Sequence, residues 1–168
     1  MRVIVAGVVS RPVSPARVPT SASAAGGAVS NALIRATRLH ANRARQLLQA
    51  VGLHPGQELL LMHLWDVGPQ RQADLAVEFG TDSASMTRTV QRLERTGLVR
   101  RRRDARDGRV TLVESTPVGL ALRAQIESIW AELEKDTIGA LSASQQRQLI
   151  RSLNLLEANL AEASGDDA

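Results

Sequence analysis

The chain has 168 residues, a formal net charge of +4 and no cysteine. This length is too short for a multidomain enzyme, and the lack of cysteine excludes disulfides, thiolate metal sites and thiol-based sensing. Because only three residues are aromatic, the core must be aliphatic, which favours helices, and we expect a cytoplasmic protein.

The first 27 residues contain small residues, three prolines and no amphipathic period, which predicts a disordered tail. A weak secretory signal is the alternative, but Arg11 and Pro12 end its short apolar run. No apolar stretch approaches the roughly 18 residues needed to span a bilayer, so we expect no membrane partner.

Four helices are predicted next. Apolar or small residues recur at helical spacing over residues 29–51, and a second helix is expected to begin at His54-Pro55 and end at Gly68. QADLAVEFG and TDSASMTRTVQRLERTG predict two shorter helices, the latter with Asp82 as N-cap and Gly97 as C-cap. Joined by a tight turn, they form a helix-turn-helix, held together by Leu75, Ala76, Val90 and Leu93.

The sequences LVRRR and RVTLVE predict two strands, with a strong hairpin signal at Asp107-Gly108 between them. Six arginines lie within the ten positions 100–109, and the chain places Asp104 and Asp107 where they could pair with Arg106 and Arg109.

Charge is unevenly distributed along the chain. Residues 71–109 carry ten arginines against six acidic residues, whereas residues 116–168 carry four basic residues against eight acidic ones. The first of these segments suits a polyanionic partner.

Two helices are predicted after the hairpin. Thr116 and Pro117 begin one long helix to residue 139, and Ser142 with Gln145 forms a capping box for a last helix over residues 142–163. Its leucines recur at steps of four, three and four: Leu149, Leu153, Leu156 and Leu160. Such a stripe is typical of a contact surface and predicts a homodimer, with a self-covering helical hairpin as the alternative.

These elements predict a mainly α fold with a small β-hairpin, in which dimerisation helices flank a winged helix-turn-helix. The expected boundaries are a disordered tail over residues 1–27, an N-terminal dimerisation helix over 28–53, the DNA-binding domain over 54–115, C-terminal dimerisation helices over 116–163 and a disordered tail over 164–168.

Double-stranded DNA is the expected partner. The outer face of the second short helix carries Ser83, Ser85, Thr87, Arg88, Gln91 and Arg92. Hydroxyl groups at a helix start suit phosphates, and Arg or Gln suits base edges in the major groove. In the hairpin, Arg101 and Arg103 are placed for phosphates, and an arginine at the hairpin tip for a narrow minor groove. A solvated polar surface is the alternative.

Residues 68–119, GPQRQADLAVEFGTDSASMTRTVQRLERTGLVRRRRDARDGRVTLVESTPVG, resemble the MarR family of bacterial transcriptional regulators, and flanking helices extend the match to roughly residues 30–163. The motifs that carry the resemblance are the LA…G turn, the RLERTGLVRR junction, Asp104-x-x-Asp107-x-Arg109 and Thr116-x-x-Gly119. The resemblance implies a recognition helix in the major groove, an arginine at Arg109 in the minor groove and an aspartate at Asp107 that steadies the wing.

Two positions depart from the family pattern. Gly108 stands where the family commonly has a second wing arginine, which shifts minor-groove contact toward Arg106. His54 replaces the usual Ser or Thr before Pro55, which weakens a helix cap.

The resemblance also implies a homodimer on a pseudo-palindromic operator, repression as the commoner outcome, and release of DNA by a small aromatic or anionic ligand. Candidate residues for that ligand pocket are His40, Arg43, His63 and Trp65, although a core position suits His40 and Trp65 better.

Other function classes have less support. Three scattered histidines predict no metal site, no cofactor is indicated, and the sequence lacks the GxSxG and phosphate-loop motifs of common enzymes. The competing interpretations are a winged helix used for protein–protein contact and a non-specific architectural DNA-binding module.

Overall fold

A computed structural model describes residues 27–165. The elements are α1 (Ala28–Gln49), α2 (Gln57–Val67), β1 (Gln70–Arg71), α3 (Gln72–Glu78), α4 (Ser83–Arg95), β2 (Val99–Arg103), β3 (Thr111–Ser115), α5 (Pro117–Ala121), α6 (Arg123–Ile138) and α7 (Ala143–Ser164). The chain divides within α1 into two compact units, one that ends at Arg43 and one that begins at Ala44. No helix in the described range is long and apolar enough to cross a membrane.

A helix-turn-helix followed by a three-stranded sheet forms the centre of the second unit, so the predicted winged helix-turn-helix is confirmed. The four residues predicted to join α3 and α4 are all buried: Leu75, Ala76, Val90 and Leu93. Between these helices, the Thr81 N–H donates to the Ala76 carbonyl at 2.9 Å, and Gly80 adopts a φ of 55° that glycine tolerates.

The antiparallel sheet has the strand order β1-β3-β2. In the β2–β3 hairpin, Val99 pairs with Ser115 and Arg103 pairs with Thr111. Strand β1 was not predicted, because two residues are too few to show an alternating pattern. It pairs with β3 through Gln70 and Val113, so β3 lies at the centre of the sheet.

Two predicted helix boundaries are wrong. Helix α2 begins at Gln57 rather than at His54-Pro55, because Gly56 takes a left-handed φ of 91° and forms a turn before the helix. The single helix predicted after Thr116 is divided at Leu122, where the Leu122 N–H donates to the Gly119 carbonyl three residues back rather than four. This tighter turn separates α5 from α6.

The last two helices differ in burial. In α6, Ile126 and Leu133 are buried, whereas α7 contributes no buried residue. The capping box predicted at the start of α7 is confirmed, since the Ser142 side chain and the Gln145 side chain each accept from the other residue's backbone N–H.

Gly119 lies where the start of α5 contacts the loop before β2. A Cβ atom at this position would lie 2.1 Å from the Leu98 carbonyl oxygen. Thr116 brings the two segments together, because its hydroxyl donates to the Gly97 carbonyl at 2.6 Å and accepts from the Gly119 N–H at 3.0 Å. The spacing Thr116-x-x-Gly119 therefore reflects a hydrogen bond and a close backbone contact.

We expect Gly119→Ala to lower the free energy of unfolding by about 1–3 kcal/mol or more, because the added methyl group meets backbone that cannot move aside as a side chain would. Denaturant unfolding at fixed protein concentration measures the effect. Gly108→Ala is the control, since nothing lies within 4 Å of its added Cβ. Equal stability of the two variants would contradict the role assigned to the close contact.

Candidate nucleic-acid interface

The start of α4 is fixed by its cap. The Asp82 carboxylate accepts from the Ser85 backbone N–H at 2.8 Å and from the Ser85 hydroxyl at 2.6 Å. The side-chain hydrogen bond from Ser85, followed by the backbone one, lowers the pKa of Asp82, so the cap stays ionised at neutral pH. The predicted N-cap is confirmed.

The predicted contact residues of α4 fall into two groups. Ser83, Arg88, Gln91 and Arg92 are exposed, whereas Ser85 and Thr87 are half-buried. The Ser85 hydroxyl accepts from Arg88 at 2.8 Å while donating to Asp82. Among the described residues, the Ser83, Gln91 and Arg92 side chains can reach a partner without giving up an internal hydrogen bond. The Arg88 side chain would have to release the Ser85 hydroxyl.

At the tip of the hairpin, two carboxylates bind backbone. Asp104 accepts from the Arg106 N–H at 2.7 Å, and Asp107 accepts from the Arg109 N–H at 2.9 Å. The backbone hydrogen bond from Arg106 is the main cause of a lowered pKa at Asp104. The expectation that these carboxylates pair with the guanidinium groups is therefore wrong: they shape the loop as Asx turns do, and the Arg106 and Arg109 side chains are exposed.

The arginines of β2 alternate between the two faces of the sheet. Arg100 and Arg102 both bind Glu114 on β3, with 2.7 Å between Arg100 Nε and Glu114 Oε1. Arg101 binds Glu94 of α4. The Arg103 side chain makes only long hydrogen bonds, from Nη1 to the Arg109 carbonyl at 3.4 Å and to the Thr111 hydroxyl at 3.3 Å.

Three residues that shape this interface escaped the sequence analysis: Gln72, Glu94 and Glu114. The hairpin register pairs Arg100 with Glu114, so counting back from the turn could have revealed that ion pair. No local pattern connects Arg101 with Glu94 or Gln72, since they meet only through the tertiary fold.

The comparisons with known proteins bear on this geometry. The MarR family model matches residues 53–111. YdgJ of Bacillus subtilis (strain 168), described as an uncharacterized HTH-type transcriptional regulator, is 36% identical over 112 residues, which make up 65% of this chain and 66% of that relative. The chain belongs to the MarR family. It is thus a member of a family of transcriptional regulators rather than of enzymes.

Solved structures share the fold. A probable transcriptional regulator from Pseudomonas aeruginosa is 29% identical with a TM-score of 0.69, over 76% of this chain and 96% of that one. A mutant MarR from E. coli, complexed with operator DNA, is 18% identical with a TM-score of 0.73, over 82% of this chain and 99% of that one. At 18% identity the second likeness concerns the fold alone.

The predicted ligand-pocket residues of this MarR-family chain have other neighbours. His63 packs edge-to-face on Phe79 with ring centroids 5.5 Å apart, and Trp65 donates to the Ser115 hydroxyl at 3.1 Å. His40 and Arg43 are exposed and half-buried, respectively, on α1. A cavity of about 360 Å³ lies elsewhere and is lined by Gly52, His54, Gln57, Arg92, Arg95 and Thr96. Within residues 27–165, no cluster of three metal-ligating side chains occurs.

The four leucines predicted to form the dimer contact lie along α7. Leu149, Leu153 and Leu160 are exposed and Leu156 is half-buried. Ile150 and Leu155 add further exposed apolar surface to the same helix.

Glu114 generates a prediction about pH. Burial acts to raise its pKa, but hydrogen bonds and charge from Arg102 and Arg100 outweigh burial and lower the pKa below 4.5. The ionised carboxylate therefore stabilises the fold above that pH, and its contribution is lost as the pH falls through the lowered folded-state value.

We expect Glu114→Gln to cost about 1 kcal/mol of unfolding free energy at pH 7, with a difference from wild type that shrinks as the pH falls below about 4.5. Glu134→Gln, on the exposed surface of α6, is the control for the charge change. Urea unfolding between about pH 3 and pH 7 measures both variants, and a difference that stays constant with pH would contradict the ion-pair assignment.

Proposed function

We propose that this MarR-family transcriptional regulator binds a pseudo-palindromic DNA operator as a homodimer, acts as a repressor in the cytoplasm, and is released by a small anionic or aromatic ligand. The observation that carries the proposal is the pair of exposed guanidinium groups, Arg106 and Arg109, on a hairpin tip shaped by Asp104 and Asp107. A loop that holds two exposed guanidinium groups outside any ion pair of residues 27–165 is suited to an anionic partner.

DNA matches both parts of this surface. The exposed side chains of α4 suit the major groove, where Arg and Gln bond base edges and Ser83 near the helix start suits a phosphate. The hairpin tip suits the minor groove, whose narrow regions concentrate negative potential around an inserted Arg109 or Arg106. Arg103, which makes only long internal contacts, is suited to the intervening phosphates.

A second copy of the chain is the proposed occupant of the apolar stripe on α7. Leu153 and Leu160 are 43% and 59% exposed and lie seven residues apart, so they share one helix face. α1 also carries exposed apolar residues, Ile34 and Leu39. A two-fold dimer that covers the stripe on α7 would present two α4 helices to half-sites one DNA turn apart.

Effector release and repression rest on the family alone. The half-buried or packed positions of His63 and Trp65 do not favour them as open ligand contacts, so the effector site stays a prediction.

The architectural and protein-contact alternatives make different predictions. An architectural module binds every duplex equally, whereas a regulator selects one sequence from a random pool. A protein-contact module binds no duplex. Selection of random-sequence DNA by the purified protein, followed by fluorescence anisotropy with the selected duplex and a scrambled one, separates the three. The proposal requires a pseudo-palindromic selected duplex and at least about a thousandfold preference for it.

Arg109→Ala should weaken binding to the selected duplex and reduce the slope of log K against log salt by about 0.9 for each phosphate that the variant no longer neutralises. Lys135→Ala removes the same charge from the exposed surface of α6 and is the control. If both variants bind as wild type does, the hairpin tip has no part in DNA binding.

Replacing Leu153 and Leu160 together by Asp should produce a monomer in sedimentation equilibrium and abolish tight binding to the selected duplex, because the charged carboxylates would be buried in the dimer contact. Ala158→Asp places a charge on the opposite face of α7 and should leave the dimer intact. A double variant that stays dimeric would remove α7 from the interface.

A further inference from the structure

One chain of hydrogen bonds links the hairpin to both helices of the helix-turn-helix. Arg101 of β2 donates to Glu94 of α4 through Nη1 and to the Gln72 side-chain oxygen of α3 through Nη2, the latter at 3.0 Å. The Gln72 side-chain nitrogen donates to the Thr87 hydroxyl at 2.7 Å, which in turn donates to the Ser83 carbonyl at 2.7 Å. These side chains join β2, α3 and α4.

The Arg101 guanidinium is directed into the protein. Both of its terminal nitrogens have protein acceptors, and its backbone N–H also donates to Glu94 Oε1 at 3.3 Å. Its side chain is 28% exposed, against 63% for the neighbouring Arg100. A guanidinium with two acceptors in place has less to gain from a phosphate than the exposed groups at the hairpin tip.

The network holds α4 at two points. Gln72 reaches Thr87, and Arg101 reaches Glu94, seven residues further along the helix, which corresponds to roughly 10 Å of helix length. Core packing and the pairing with β1 already hold the hairpin, and the two side-chain attachments add resistance to rotation of β2 relative to the axis of α4.

We propose that Arg101, Glu94 and Gln72 form a positioning cluster that sets the hairpin relative to α4, so that major-groove and minor-groove contacts are made together. Arg101 acts through Glu94 and Gln72 and does not bind a phosphate. This inference rests on the proposed function and differs from the sequence-based expectation that Arg101 and Thr87 contact DNA directly.

Glu94→Gln separates the two roles by the sign of its effect. If Arg101 bound a phosphate, removing the competing carboxylate would free the guanidinium and tighten binding. If Arg101 is a positioning residue, the same change loosens the hairpin and weakens binding to the selected duplex only. Glu78→Gln on the exposed surface of α3 makes the same charge change and is the matched control.

Arg101→Lys is the second variant. Lysine keeps the charge that a phosphate needs but lacks the planar fork that reaches Glu94 and Gln72 at once. Anisotropy titrations of wild type, the three single variants and the Glu94→Gln/Arg101→Lys double variant are run at several salt concentrations, on the selected and the scrambled duplex. Thermal unfolding followed by circular dichroism reports whether each variant is folded.

We expect Glu94→Gln and Arg101→Lys each to weaken binding to the selected duplex by about tenfold, which corresponds to the removal of one charge-assisted hydrogen bond. Binding to the scrambled duplex and the salt slope should match those of Glu78→Gln for the first variant and of wild type for the second. The double variant should be no weaker than either single one, because both break the same cluster.

The inference is overturned if Glu94→Gln binds the selected duplex as tightly as Glu78→Gln or more tightly, or if Arg101→Lys binds as wild type does. In those cases wild type still discriminates between the duplexes, so the proposed function stands. A wild-type protein that fails to discriminate overturns the proposed function itself.

Discussion

Repulsion among closely spaced guanidinium groups is the constraint around which the hairpin is built. Six arginines occupy residues 100–109, and, apart from Arg103, whose side chain makes only long contacts, the fold treats them in two ways. Arg100 and Arg102 share the carboxylate of Glu114 on β3, and Arg101 pairs with Glu94 of α4, which lowers the cost of placing three arginines on neighbouring positions of one strand. Arg106 and Arg109 at the tip are exposed and their guanidinium groups form no ion pair among residues 27–165, so they are accessible to a partner.

This division explains why the tip needs its own scaffold. The carboxylates of Asp104 and Asp107 bind backbone N–H groups, which shapes the loop and leaves the guanidinium groups of the adjacent arginines without an ion-pair contact. The base of the hairpin is anchored separately, through the Thr116 hydroxyl and the close contact of Gly119 with Leu98. A rigid base and a charged tip are the arrangement that a groove-binding wing requires.

Features encoded by neighbouring residues could be predicted from the sequence. The Asp82 cap, the Ser142 capping box and the hairpin at Asp107-Gly108 depend on side chains within three or four positions of the backbone they bind, so the local pattern suffices. The buried contacts between α3 and α4 followed from helical periodicity in the same way.

Features that depend on tertiary contacts could not be predicted from the sequence. Strand β1 exists because β3 offers it a free edge, and the break at Leu122 occurs where the chain leaves the close approach at Gly119. The partner of Arg101 is seven residues away on another element, so its charge alone suggested a phosphate contact. Only the fold shows which arginines have internal partners.

The most direct test of this division is the NMR spectrum of the arginine Nε–Hε groups, recorded before and after addition of the selected duplex. We expect the Arg106 and Arg109 signals to shift and their Hε exchange with water to slow, while the Arg100 and Arg102 signals keep the positions set by Glu114. Shifts at Arg100 and Arg102 with an unchanged hairpin tip would contradict the account.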